Sequence, residues 1–201
     1  IYFDVADFTY SKNGYLVRHE EEVNEQMLSG VQIVQLIAQD FSVNPRLLLA
    51  VLEYQSGWVT NPNPHTETLK YPIGWKDPKR EGLYHQLAWA ANELNRGFYM
   101  WRVAGIPTWV LEDGTIVPID PTINAGTAGV QHFFAKLYGA QFWEKTVSEN
   151  GFFIIYNELF GYPFDYAFEP VLPLELSQPQ FQLPFENGTA WSFTGGPHGG
   201  W

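Results

Sequence analysis

The sequence predicts a mainly α-helical fold with one small β-hairpin, followed by an extended proline-rich connector and a terminal β-strand. Three observations predict it. Apolar residues recur at three- and four-residue spacing in several runs between Ser29 and Phe160. One alternating run, Thr108 to Ile119, is divided by Asp113-Gly114, a pair that favours a tight hairpin turn. Beyond Gly161, Pro163, Pro170, Pro173, Pro179 and Pro184 recur with few helix formers between them, as in an extended connector.

Up to about Gln26 the pattern is mixed, with a turn signal at Asn13-Gly14. Glu20 to Leu28 reads as a helix start, its Glu20-Glu21-Glu22 run suited to a solvated first turn. Ser29 reads as an N-cap, and Val31, Val34, Leu36, Ile37 and Phe41 continue as an apolar helical stripe. Asn44-Pro45 is the strongest boundary in the chain. Asn caps, and Pro occupies the first helical position, where a missing N–H costs nothing. The helix from Arg46 to Ser56 is apolar nearly all round, which predicts burial on most sides, and Gly57 ends it. Residues 58–82, broken by Asn61-Pro62-Asn63-Pro64, Tyr71-Pro72 and Asp77-Pro78, form a long irregular excursion of the kind that is often functional. Helical spacing returns from Leu83 to Arg102 and again from Asn124 to Leu137. Two further helices, Gln141 to Ser148 and Phe152 to Phe160, are separated by Asn150-Gly151. Trp191-Ser192-Phe193 alternates like a strand before a glycine turn. Three parts follow: a helical domain at 1–162, a connector at 163–187 and a strand-bearing segment at 188–201. A generic helical bundle satisfies the same helical pattern.

Composition removes several function classes. A formal net charge of -11 without a basic stripe argues against a nucleic-acid partner. The absence of cysteine removes disulfides, thiolate catalysis and Cys-ligated zinc. No apolar run reaches the ~18 residues that a membrane span requires. The start at Ile1, without Met, is expected of a processed or trimmed N-terminus, and Gly195 to Trp201 read as a motif that breaks off.

Glu53 stands near the end of the apolar helix, where a partly desolvated carboxylate is suited to donate a proton, as glycoside cleavage requires. The plain alternative is a surface Glu in a last helical turn. The segment Val43 to Thr60 (VNPRLLLAVLEYQSGWVT) resembles the catalytic helix of lytic transglycosylases and goose-type lysozymes. In those families a Glu-Ser pair ends an Ala/Leu-rich helix facing the glycan cleft. The resemblance implies a lysozyme-like domain in which one Glu is the acid and the substrate's acetamido group replaces a second carboxylate. The Ser falls on Ser56, but the Glu falls on Gln55, and an amide cannot protonate a leaving oxygen. Glu53 lies two residues away, about 200° around the helix, and cannot take the same place. The Gly-Leu-Met-Gln motif that usually follows is missing. The resemblance therefore implies a glycan-binding domain without the usual catalytic Glu; Glu53 is the candidate acid if it cleaves. Gln55, Ser56, Trp58 and Trp75 are the candidate substrate-binding residues, with Tyr54, Tyr71, Trp101 and Trp109 as further rings for sugar stacking and Asn61 as a polar partner. The plain reading of these aromatics is that they fill the core.

The tail Leu183 to Trp201 (LPFENGTAWSFTGGPHGGW) resembles the start of lysostaphin-type zinc metallopeptidases, especially the staphylolysin-like branch. There a glycine-rich turn delivers the first zinc-binding His, a role that falls on His198. The other ligands of that family lie further downstream, so zinc belongs to the intact parent only. His19, His65, His85 and His132 show no His-x-His or HExxH spacing and read as ordinary histidines. Asn124-Ala125-Gly126-Thr127 and the proline-rich join also look like parts of bacterial proteins that couple these two modules. The resemblances together imply a secreted or cell-surface, peptidoglycan-directed module of a zinc metalloendopeptidase, with wall glycan and peptide as partners. An active muramidase using Glu53 is one alternative, and a non-enzymatic surface or assembly protein is another.

Overall fold

A short helix opens the fold. Asp4 caps it by accepting from the Asp7 N–H at 2.9 Å, and Asn13 closes it in the left-handed conformation, giving α1 (Val5–Lys12). The structure, a computed structural model, describes residues 3–165 together with residues 177, 180 and 188–190. Most of the connector at 163–187, the expected strand at Trp191 to Phe193 and His198 lie outside the described residues. The chain divides into one unit at Ile1–Asp165 and another at Tyr166–Trp201.

The helix start expected at Glu20 to Leu28 is instead a β-hairpin, β1 (Glu20–Val23) against β2 (Gln26–Ser29), with Glu21 opposite Leu28. Asn24 and Glu25 both take positive φ, 50° and 65°, which turns the chain within two residues. Ser29 ends this hairpin and caps α2 (Gly30–Asp40) in a reciprocal box with Gln32, burying Val31, Ile33, Val34 and Ile37. Asn44 caps α3 (Pro45–Ser56), and Gly57 ends it with φ 70°. The irregular excursion contains only short 3-10 turns before α4 (Leu83–Tyr99), which continues as a π-helical turn at Met100–Ala104. The expected hairpin forms as β3 (Thr108–Val110) and β4 (Ile116–Pro118). It is followed by α5 (Ala125–Ala135), α6 (Ala140–Val147) and α7 (Phe152–Phe160). The mainly helical class holds, with a second hairpin where a helix was expected.

The core is built on α3, whose Leu48, Leu49, Ala50, Val51 and Leu52 are all fully buried, as the all-round apolar run predicts. Rings from α4, α5 and α7 close around it: Trp89 lies 5.6 Å from Phe133, and Phe134 lies 5.3 Å from Phe152. A smaller cluster, Trp109, Leu111 and Ile119 with Ala128 and Ala135, seats the second hairpin on α5.

Both hairpins work as caps. Gly82 and Gly139, at the starts of α4 and α6, carry no capping side chain. Instead Glu21 accepts from the Leu83 N–H at 2.6 Å and the Tyr84 N–H at 3.3 Å, and Asp113 accepts from the Ala140 N–H at 2.9 Å. A Cβ on Gly82 would lie 2.6 Å from the Glu21 Oε1, so glycine there makes room for the distant carboxylate. Burial alone would push the Glu21 carboxyl up; the His19 ring at 3.1 Å and the two amides outweigh it and hold the group below the ordinary carboxyl range. Its stabilising contribution is therefore complete above the unfolded value near 4.5 and is lost as pH falls through the lower folded value. Glu21→Gln is expected to cost about 1 kcal/mol near neutrality and to flatten the acid limb of a plot of urea midpoint against pH.

Candidate functional site

The end of α3 sets the geometry of the expected site. Because α3 is buried on most sides, its last turn emerges against the loop that follows, and the side chains there turn back into the protein. Both oxygens of Glu53 are engaged: Oε2 accepts from the Val59 N–H at 2.9 Å and the Thr60 N–H at 3.1 Å, and Oε1 accepts from the Thr60 hydroxyl. Glu53 thus ties the loop to the helix it leaves. Ser56 donates its hydroxyl to the Leu52 carbonyl at 2.8 Å, within its own helix. Gln55 faces another way, as the helical rotation requires, and its Oε1 accepts from the Tyr138 hydroxyl at 2.5 Å. Burial pushes the Tyr138 hydroxyl up, and the bond to Gln55 partly offsets it.

The aromatic residues divide. Trp58 is 0% exposed, packed 4.7 Å from Tyr15 and 5.0 Å from His19, with its indole N–H on Thr68 at 3.1 Å. No face of that ring is open to a sugar; it anchors the loop it begins. Trp75 is half-buried and stacked on Trp89 at 4.5 Å and 18°. Trp109 is buried and donates to Gln131, and the half-buried Tyr54 donates to Thr146. Asn61 accepts from the Asn63 N–H within a local turn. The Gln55 Nε2 and the Trp75 Nε1 are enclosed donors without a protein partner, and a Cβ on Gly74 would lie 3.8 Å from the Gln55 amide nitrogen.

Sequence reasoning missed what holds the 58–82 loop in place. Gln86, on α4, is 0% exposed and bonds three loop backbone groups. It accepts from the Ile73 N–H at 3.3 Å and donates to the Trp75 carbonyl at 2.8 Å and the Arg80 carbonyl at 2.7 Å. A recess opens on this loop, lined by Thr66, Glu67, Leu69, Lys70, Tyr71 and Lys76. At its edge the Tyr71 hydroxyl donates to Glu81 at 2.9 Å, which raises the Tyr71 hydroxyl and lowers the Glu81 carboxyl. A second, apolar cavity of about 380 Å³ lies away from residues 53–58, between α5, α6, α7 and the first turn of α3.

Among the described residues no group of three or more His, Asp, Glu or Cys side chains could hold a metal ion. His19 is paired with Glu21, His132 with Glu93, and His65 and His85 stand exposed at separate places. The described residues do not fit a zinc centre. No helix among them is long and apolar enough to cross a membrane.

A family model described as "LasA, N-terminal domain" matches residues 1–173. The chain belongs to that family. The match gives the helical module a staphylolysin-type, cell-wall-directed setting and covers the whole unit that contains α1 to α7. No curated protein and no solved structure matches the chain.

Proposed function

We propose that the LasA-type helical module is a non-catalytic, peptidoglycan-directed part of a secreted zinc metalloendopeptidase. The family match over residues 1–173 carries this reading. The engagement of both Glu53 oxygens and the amide at Gln55 support a module that binds wall polymer rather than cleaving glycan. A carboxylate already accepting three donors is poorly placed to deliver a proton to a leaving oxygen. His198 is the candidate first zinc ligand, in the intact parent, where the metal would polarise a peptide carbonyl and activate water.

The recess of the 58–82 loop is the proposed contact for wall glycan, with Tyr71 as stacking ring and Lys70, Lys76 and Thr66 as polar partners. Trp75 supports this loop from behind through its stack on Trp89. Co-sedimentation with purified sacculi is expected to retain the chain. Tyr71→Ala is expected to lower retention about five- to tenfold, the loss of one aromatic contact. Wild-type retention with no effect of the substitution would move the contact elsewhere, and no retention at all would overturn the wall-directed reading.

The second reading, an active muramidase, rests on Glu53 alone. It requires the carboxylate to leave Val59 and Thr60 when substrate binds.

A further inference from the structure

The 58–82 loop carries a compact basic cluster in an acidic chain. Four of the 11 Lys and Arg residues, Lys70, Lys76, Lys79 and Arg80, fall between positions 70 and 80, where Asp77 is the single acid. All four are exposed. The chain as a whole has a formal net charge of -11, so most of its surface repels an anion that this segment attracts.

The backbone sets these cations on a fixed frame. The Gly82 N–H donates to the Lys70 carbonyl at 2.9 Å and closes the segment into a loop. Gln86 holds Ile73, Trp75 and Arg80 from α4. Asp77 accepts from the Lys79 N–H at 2.9 Å, and Pro78 begins the short turn Pro78–Arg80. Two of the cations already have acidic partners: Lys70 lies 3.4 Å from Glu81, and Arg80 lies 3.6 Å from Asp77. Lys76 and Lys79 meet no carboxylate among the described residues. Lys76 lines the recess together with Lys70 and Tyr71, and Glu67 is the acid on the same wall. Lys79, three positions further along, adds to the field without lining the recess.

We propose that the recess recognises anionic groups of the wall polymer, pairing them with Lys76 beside a sugar stacked on Tyr71. The shared chemistry is an anionic oxygen. Its source is a stem-peptide carboxylate or the phosphodiester of an attached polymer. An ammonium offers three donors and no acceptor, so an unpaired lysine gains most from an anion, whereas a neutral sugar gives only exchangeable hydroxyl contacts. The inference rests on the wall-directed reading of the same recess and adds the charge of its ligand.

Co-sedimentation of the full chain with purified sacculi tests it. Raising salt from about 0.1 M to about 1 M shortens the screening length from ~10 Å to ~3 Å and is expected to lower retention about tenfold. At low salt Lys76→Glu is expected to lower retention about fivefold, and Lys76→Arg to restore it. Glu67→Gln, which removes the recess's own anion, is expected to raise retention about twofold. Both positions are exposed, so unchanged urea midpoints are expected for all three variants. Carbodiimide amidation removes the carboxylates of the sacculi, and hydrofluoric acid strips phosphodiester-linked polymers; the treatment that lowers retention names the source. Retention that ignores salt, Lys76→Glu or both treatments, or that falls with Glu67→Gln, would overturn the proposal. If Tyr71→Ala still lowers retention in that case, the wall contact stays in the recess and only its charge recognition fails. No retention at any salt removes the wall-directed reading as well.

Discussion

Gln86→Leu is expected to destabilise the module by about 3 kcal/mol and to release the 58–82 loop. Leucine is close in volume and better suited to an apolar interior, so a pure packing account predicts a small effect. The hydrogen bonds decide otherwise. Gln86 is the partner of one N–H and two carbonyls of the loop, at Ile73, Trp75 and Arg80, from a position that is 0% exposed. Removing the amide strands three polar groups near the core, each costing about 1–3 kcal/mol if it stays buried. The loop's cheapest response is to move outward, where water replaces Gln86. Urea unfolding should show the loss of stability, and limited proteolysis should show new cleavage between residues 66 and 81. Retention on sacculi should fall as well, because Tyr71 is positioned by the same loop.

Gly97→Ala is expected to cost about 2–4 kcal/mol, although alanine is the better helix former by about 1 kcal/mol. The α4 and α5 helices cross where Gly97 meets the backbone of α5. An added Cβ would overlap the His132 Cβ and lie 3.0 Å from both the Ala128 carbonyl oxygen and the Gly129 Cα. These are main-chain atoms or atoms fixed to it, so the helices must separate. Separation would also strain the pair beneath them, His132 Nε2 on Glu93 Oε2 at 3.0 Å, with the two residues 3% and 7% exposed. The His132 hydrogen bond, with desolvation opposing it, holds the Glu93 carboxyl below its ordinary range. The Glu93 carboxylate's contribution is complete above the unfolded carboxyl value and is lost as pH falls through the folded one. A Gly97→Ala variant with an unchanged denaturation midpoint would show that the α4–α5 crossing has room for a Cβ at this position.

Local chemistry made much of the fold legible. Ser29 and Asn44 cap the helices that their positions predict, Gly57 ends α3, and Asp113-Gly114 turns the second hairpin. These signals act within a few residues, so sequence carries them directly. The first hairpin was not legible, because Glu20 to Glu22 and Gln26 to Leu28 are good helix formers. What overrides that preference is Glu21's bond to the start of α4, more than sixty positions away. The Asn24-Glu25 turn was the one local clue, and it is weak without glycine. The helix α1 was visible in principle from Asp4 and the Asn13-Gly14 stop, but its short apolar pattern carries little weight.

The candidate site was legible in part. The rotation between Glu53 and Gln55 follows from helix geometry alone, and the two side chains do take different partners. Trp58 could not be told from an exposed ring, because tryptophan serves core and cleft alike; only its neighbours Tyr15 and His19 decide. Gln86 gave no signal in one dimension, since its three partners lie in a loop without periodicity. The apolar cavity was equally hidden, being assembled from four separate segments.

The central claim is that the α3 terminus holds the module together and performs no glycan chemistry. Chromatography of the soluble products from sacculi incubated with the chain, alongside a Glu53→Gln variant, tests this most directly. The account predicts no released muropeptides from either protein and reduced thermal stability in the variant. Muropeptides released by the wild type and absent with Glu53→Gln would contradict it.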